Sequence, residues 1–208
     1  MNCQICSGMC ERDVLHGVYT YYKCRSCATS QVLPQPTQDN LREYYETFHQ
    51  SANVGGVYDH FEDRMKADFP AKARMIHSFV SESVPRLLDI GCGKGFFLKE
   101  AANQGFSAEG IDLSSSGIKY AVDQLRTKAV VGRVEDFTGR WRGTFDVVTM
   151  WATIEHLPDP VKTVRAAREC LKPGGFLFLD TGLGDAPWER FLAGHSQWYD
   201  APQHLFVY

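Results

Sequence analysis

Two groups of residues in this chain have the types and spacing that chemistry requires. The first is Leu87-Leu88-Asp89-Ile90-Gly91-Cys92-Gly93-Lys94-Gly95, an apolar run that passes directly into a loop with glycine at every second position. Glycine tolerates positive φ and has no side chain to hold a ligand away, so such a loop can bring backbone N–H groups against a nucleotide-like molecule. Asp112 follows at roughly the twenty-residue distance at which a carboxylate meets the two ribose hydroxyls of an adenosine ligand. The spacing is G-x-G-x-G, one residue short of the dinucleotide fingerprint G-x-G-x-x-G.

The second group is Cys3-x2-Cys6 and Cys24-x2-Cys27, two pairs separated by seventeen residues. That spacing is the one expected of a structural zinc site, with each pair presenting two thiolates from one tight turn to a tetrahedral ion. Iron in the same four thiolates is the alternative. Cys10 is a substitute ligand or a spare thiol, and His16 reads as a turn residue. Val14-Leu15 and Val18–Lys23 read as short strands between the pairs, so residues 1–33 form a zinc-ribbon-like module. A segment this short cannot bury enough surface to fold alone, and the metal would supply the missing stability.

The elements that must position the glycine loop can be read from the rest of the chain. Residues 34–82 are expected to form a helical connector. Leu41, Tyr44, Tyr45 and Phe48 recur at helical spacing after an Asp39 or Thr37 cap, and a loop follows at Ser51–Val57. A longer helix is expected from Asp59 to Val80, with Phe61, Met65, Phe69, Ala73, Ile76 and Phe79 as apolar positions and Pro70 as a kink. Residues 83–208 alternate strands and helices, the pattern of a doubly wound, Rossmann-like α/β sheet. Strands are expected at 86–90, 108–111, 129–131, 144–151 and 176–180, and helices at 96–104, 114–124 and 161–171, with Lys172-Pro173-Gly174-Gly175 as the turn into the last strand. Ligands of open α/β sheets bind at the carboxyl ends of strands. Ile154-Glu155-His156-Leu157-Pro158-Asp159-Pro160 follows the fourth strand there.

With 208 residues, 44% hydrophobic and 23% charged, the chain has ordinary globular composition, and its net charge of −3 gives no general pull toward a polyanion. No apolar run is long enough to span a membrane and the N-terminus lacks signal-peptide character, which predicts a soluble cytoplasmic protein without a membrane partner. Oligomeric state is not legible.

The glycine loop with Asp89 before it, Asp112, the Phe145-Asp146-Val147-Val148 strand, Glu155-His156 with Asp159-Pro160, and Lys172-Pro173-Gly174-Gly175 together resemble the ordered motifs of class I S-adenosylmethionine (SAM) dependent methyltransferases. With the cysteine module in front, the chain is similar to zinc-bearing methyltransferases of sugars and other small molecules. The resemblance implies that Asp89, Gly91, Cys92, Gly93 and Gly95 hold the cofactor's methionine and ribose, and that Asp112 and Leu113 border the adenosine. It places adenine recognition near Val134 and Glu135, where Arg133 departs from the acidic or amide residue of many relatives. Met150 or Trp151 would cover an adenine or sulfonium face, and Tyr44 and Tyr45 would contact the cofactor from a lid. His204, in a segment similar to the histidine-containing stretch after strand five, and His156 are the candidate bases, with His195 and Trp198 lining an acceptor pocket. SAM and Zn2+ are the implied cofactors, and a small molecule methylated on O or C the implied acceptor. An RNA base and a catalytically silent, partner-binding role are the alternatives. A nucleic-acid partner is disfavoured because Arg12, Lys23 and Arg25 of the ribbon are offset by Glu11 and Asp13. The family's sheet has a further helix and two strands after the fifth, which this sequence does not supply before Tyr208. It is therefore expected to be C-terminally incomplete, or to close its sheet in another way.

Overall fold

The computed structural model describes residues 1–37, 39–41, 43, 57–184, 186 and 198–208, without the side chains of 57–62 and 64. Tyr44, Tyr45, Phe48, the loop at 51–56, Trp188, Phe191, Leu192 and His195 lie outside the described residues. The chain forms two compact units, one of Met1–Leu41, Ala152–Val164 and Leu179–Tyr208, the other of Arg42–Trp151 and Arg165–Phe178.

The first unit begins with the ribbon. Strands β1 (Cys10–His16), β2 (Tyr19–Cys24) and β3 (Ser30–Leu33) form an antiparallel meander. His16 pairs with Tyr19 across Gly17-Val18, so it borders the turn as its position implied. Thr37 caps the next turn, its hydroxyl accepting from Asn40 N–H at 3.2 Å. The end of the chain returns to this sheet: β9 (Phe206–Val207) pairs antiparallel with β3, Ser30 opposite Val207, giving the order β1-β2-β3-β9. Sequence periodicity did not announce β3 or β9, which are too short to carry an alternation.

In the second unit, α1 (Val57–His77) buries Phe69, Ala73 and Ile76 against Leu87, Phe97, Leu98 and Val147. Full burial of a side chain the size of Ile76 contributes about 1.5–3 kcal/mol. The helix runs through Pro70, although a proline inside a helix costs about 3 kcal/mol. The buried residues on either side hold the two halves to the same core. The expected apolar position Phe79 lies beyond the helix and is 52% exposed, its ring against Phe176 and Phe178.

Strands β4 (Arg86–Ile90), β5 (Ser107–Asp112), β6 (Lys128–Val131), β7 (Phe145–Trp151) and β8 (Leu171–Asp180) form one sheet in the order β6-β5-β4-β7-β8. The pairs β4–β5, β4–β7 and β5–β6 are parallel, as the alternating pattern implied. Every residue of β7 is buried, the mark of a strand covered on both faces. Helices α2 (Phe96–Asn103), α3 (Ser115–Asp123), α4 (Val134–Trp141) and α5 (Pro160–Cys170) connect the strands. The helix expected to begin at Ser114 has that serine as its cap, the hydroxyl accepting from Gly117 N–H at 3.1 Å.

One element was not anticipated and one expectation is corrected. Val134 starts α4, whose Val134 and Trp141 are buried. Lys172-Pro173-Gly174-Gly175 is not a turn before the last strand but the first part of β8. A Cβ on Gly175 would stand 2.9 Å from the Asp146 carbonyl oxygen, so the glycine is needed for close backbone approach. Pro173 is tolerated because β8 is an edge of the described sheet. No helix among the described residues is long and apolar enough to cross a membrane.

Candidate active site

The glycine loop leaves the carboxyl end of β4 with Gly91, Gly93 and Gly95 at φ of 76°, 49° and 76°. These are left-handed positions that glycine adopts without steric cost. Gly91 and Cys92 donate to the Ile111 carbonyl at 2.8 and 3.2 Å, and Gly95 donates to Cys92 O at 2.8 Å, curling the loop over the start of α2. A Cβ on Gly95 would lie 2.8 Å from Ala121 Cβ of α3, so this position lets two helices close on the loop.

Asp112 braces the loop. Its Oδ2 accepts from Gly93 N–H at 2.9 Å and its Oδ1 from Ser114 N–H at 2.8 Å. Each oxygen keeps a further lone pair for a ligand hydroxyl. Asp89, 3% exposed, accepts from Thr149 Oγ1 at 2.7 Å, which ties β4 to β7 below the loop. Leu113 is half-buried beside Asp112 in sequence.

The remaining cofactor candidates differ in what they can present. Cys92 has its side chain in the core, and burial, with the charges of Asp112 and Asp89, pushes its thiol well up, so only its backbone can serve a ligand. Met150 is fully buried and offers no open face, whereas Trp151 keeps a 7% exposed edge, packs edge-on against Phe97 and carries the Lys72 ammonium 4.3 Å from its ring. Val134 is buried at the first turn of α4, where backbone N–H groups have no intrahelical partner. The Glu135 carboxylate lies 3.8 Å from Arg133 Nε, so the departing arginine is turned to its neighbour.

In the first unit the two cysteine pairs fold as copies of one turn. Cys3 N–H donates to Gly8 O and Ser7 N–H to Cys3 O. Equivalently, Cys24 N–H donates to Thr29 O and Ala28 N–H to Cys24 O. Ser7 and Ala28 both take positive φ, and the N–H groups of Ile5 and Ser26 both point at a cysteine sulfur at 3.4 Å. Hydrogen bonding from the Cys27 backbone leads the causes that bring the Cys24 thiol down to about 6. The four sulfurs lie within 4.8 Å of one another, with Cys3–Cys27 at 3.7 Å and Cys6–Cys24 at 3.5 Å. A tetrahedral zinc with bonds of about 2.3 Å has S···S edges of about 3.8 Å, so these residues fit the ion. Cys10 stands outside the quartet, its thiol directed to Gly8 O at 3.9 Å.

The candidate bases also meet within the first unit. Tyr21 Oη donates to the His204 carbonyl at 2.6 Å, Val32 N–H to Leu205 O at 2.9 Å, and Leu205 N–H to Glu155 O at 2.8 Å. The His204 segment is thereby anchored both to the ribbon and to the short 3-10 turn Ile154–His156. The His156 and His204 ring centres are 4.9 Å apart. Burial, then the neighbouring His156, pulls His204 below the usual histidine value, and burial raises Glu155 above the usual carboxylate range. Glu155 is the member that sequence reasoning missed. Its signal is an acidic residue directly after the uncharged stretch Met150–Ile154, next to a candidate base.

Residues 58–208 match the family described as "Methyltransferase domain". The chain is 32% identical over 154 residues to a ubiquinone biosynthesis O-methyltransferase of Xanthomonas campestris pv. campestris, covering 71% of this chain and 64% of that one. A ubiquinone biosynthesis O-methyltransferase of Paraburkholderia phymatum is 35% identical over 117 residues, 54% of this chain and 50% of that one. The chain thus spans about half to two-thirds of the length of the curated relatives it matches. Among solved structures, a SAM dependent methyltransferase from Archaeoglobus fulgidus aligns with TM-score 0.57 at 20% identity, covering 72% of this chain and 66% of that one. Streptomyces venezuelae DesVI aligns with TM-score 0.51 at 26% identity, covering 61% and 56%. The four cysteines at 3–27 precede the region that matches the family.

Proposed function

The chain belongs to the methyltransferase-domain family, and from that premise we propose that it transfers the methyl group of SAM to an oxygen of a small-molecule acceptor. The observation that carries this reading is the left-handed glycine loop held through Gly93 N–H on Asp112, whose other oxygen is fixed by Ser114 N–H. Such a loop with a carboxylate at the neighbouring strand end suits an adenosyl ligand with a ribose diol. That the two relatives are O-methyltransferases favours an oxygen acceptor over carbon. The ribbon offers little to RNA, since Glu11 already holds Arg25 at 2.6 Å.

When bound, SAM supplies a methyl group on a sulfonium, an electrophile whose transfer needs chiefly alignment. In this reading the backbone of Gly91, Cys92, Gly93 and Gly95 borders the methionine and ribose, with Asp89 bracing the loop. The spare lone pairs of Asp112 take the ribose hydroxyls, with Leu113 alongside. The N–H groups of Val134 and Glu135 face adenine, and Trp151, Tyr44 and Tyr45 supply aromatic cover. His204, neutral at pH 7 because burial disfavours its charge, accepts the acceptor's proton, and His156 is its partner. Cys3, Cys6, Cys24 and Cys27 hold a structural Zn2+ that stabilises the ribbon at 1–33. The enzyme works in the cytoplasm.

Incubation with methyl-labelled SAM and a panel of catechols, phenols and nucleotide sugars tests the reading. Label on an acceptor oxygen is expected. A folded protein that binds the cofactor and labels no member of the panel would overturn the assignment of a small-molecule O-acceptor.

A further inference from the structure

Glu155, His156 and His204 offer ligand atoms that lie within 4.8 Å of one another. His156 Nδ1 meets the Gln203 carbonyl at 2.8 Å and His204 Nδ1 meets the Trp198 carbonyl at 3.1 Å. A carbonyl only accepts, so each Nδ1 carries a proton, and the ring nitrogen on which a neutral imidazole would present its lone pair is Nε2. A ring nitrogen donating to a backbone carbonyl while the other stays unprotonated is the arrangement that orients metal-binding histidines.

The carboxylate completes the set. Glu155 is 2% exposed, and among the described residues the buried Thr181 hydroxyl is the polar side chain beside its carboxylate, without the geometry of a full hydrogen bond to either oxygen. An ionised carboxylate in that setting is strongly disfavoured unless a positive group meets it. Asp180 and Asp200 add negative charge around Glu155 and His204. Three converging lone-pair donors in a negative field are a cation's ligand set, and two imidazoles with one carboxylate suit zinc and similar divalent transition metals.

We propose that Glu155, His156 and His204 form a binding site for a divalent transition-metal ion, separate from the four cysteine sulfurs. Bonds of about 2.1 Å put adjacent ligands about 3.4 Å apart, so the donors draw together slightly, and His156, only half-buried, has room to turn. Three protein ligands leave a position for an oxygen ligand. Ion binding and proton acceptance use the same His204 lone pair, so an occupied site withdraws that base. The proposal stands on geometry within the first unit and does not depend on the methyl-transfer reading.

Cobalt titration of the metal-free full chain tests it. Two Co2+ per chain are expected, one with intense near-ultraviolet thiolate charge-transfer bands and one with only weak visible bands of nitrogen and oxygen ligation. Glu155→Gln and, independently, His156→Ala should weaken the second equivalent at least tenfold and leave the thiolate spectrum intact. Circular dichroism of each variant establishes that it is folded. Should Glu155→Gln fail to fold, the half-buried His156→Ala carries the test. A single Co2+ with a thiolate spectrum in the wild-type chain, or retention of the second equivalent in folded variants, overturns the proposal.

Discussion

Gly95→Ala and Gly143→Ala together separate what the glycine loop demands of its backbone from what it demands of its packing. Both glycines sit in the left-handed region, at φ of 76° and 59°. A side chain there costs roughly 1–2 kcal/mol. Around Gly143 nothing lies within 4 Å of an added Cβ, so that backbone cost is the whole effect. At Gly95 the Cβ would meet Ala121 Cβ at 2.8 Å and Thr127 Oγ1 at 3.1 Å. Neither neighbour yields easily, since Ala121 is fully buried in α3 and Thr127 Oγ1 donates to the Ala121 carbonyl at 2.8 Å. Overpacking of this kind adds about 1–3 kcal/mol. At roughly 2–4 °C of melting temperature per kcal/mol for a chain of this size, Gly143→Ala should lower Tm by about 2–8 °C and Gly95→Ala by about 4–20 °C. Differential scanning calorimetry measures both shifts. Titration with S-adenosylhomocysteine should show weakened binding only for Gly95→Ala. Equal Tm losses with unchanged ligand affinity in both variants would refute the reasoning that the loop is locked against α3.

Three further outcomes follow from the same structure. Thr149→Val removes the hydroxyl that donates to buried Asp89 and should cost about 1.5–3 kcal/mol in chemical denaturation, with the midpoint moving and the slope unchanged. Asp146 is buried, which alone would raise its carboxyl, but Lys172 Nζ at 2.6 Å and Arg86 N–H at 2.8 Å hold it below the usual value. Its contribution is thus complete above the unfolded value near 4 and lost as pH falls through the lowered folded value. Tm of Asp146→Asn should accordingly fall less between pH 5 and pH 2 than that of the wild type. Cys24→Ser should lose one equivalent of zinc by elemental analysis, whereas Cys10→Ser should keep it, because the Cys10 thiol faces Gly8 O rather than the quartet.

Much of this arrangement is written locally in the sequence. The β4-to-loop junction was legible because its apolar run and spaced glycines impose one geometry, and the cysteine pairs were legible because two C-x2-C turns have one common use. Asp112 was located, but its grip on Gly93 N–H and Ser114 N–H was not, since those bonds exist only once the loop has curled back. Helix α4 was not anticipated: only adenine recognition was assigned near Val134 and Glu135, and the eight-residue helix, with its Phe137–Trp141 stack at 4.7 Å, is seen once the chain is folded. The glycines of β8 read as a turn because close approach of Gly175 to Asp146 is a tertiary fact. The same holds for Glu155: beside His156 it is an ordinary acidic residue, and only the return of Gln203–Val207 to β3 and to the 154–156 turn brings His204 to it.

Calorimetric titration of the full chain with S-adenosylhomocysteine, beside Asp112→Ala, tests the central claim most directly. Micromolar, one-to-one binding to the wild type, weakened at least a hundredfold in the variant, is the expected result. A folded, zinc-loaded wild-type chain that takes up no ligand, or an Asp112→Ala variant that binds as tightly as the wild type, would contradict the assignment of the glycine loop and Asp112 to the cofactor.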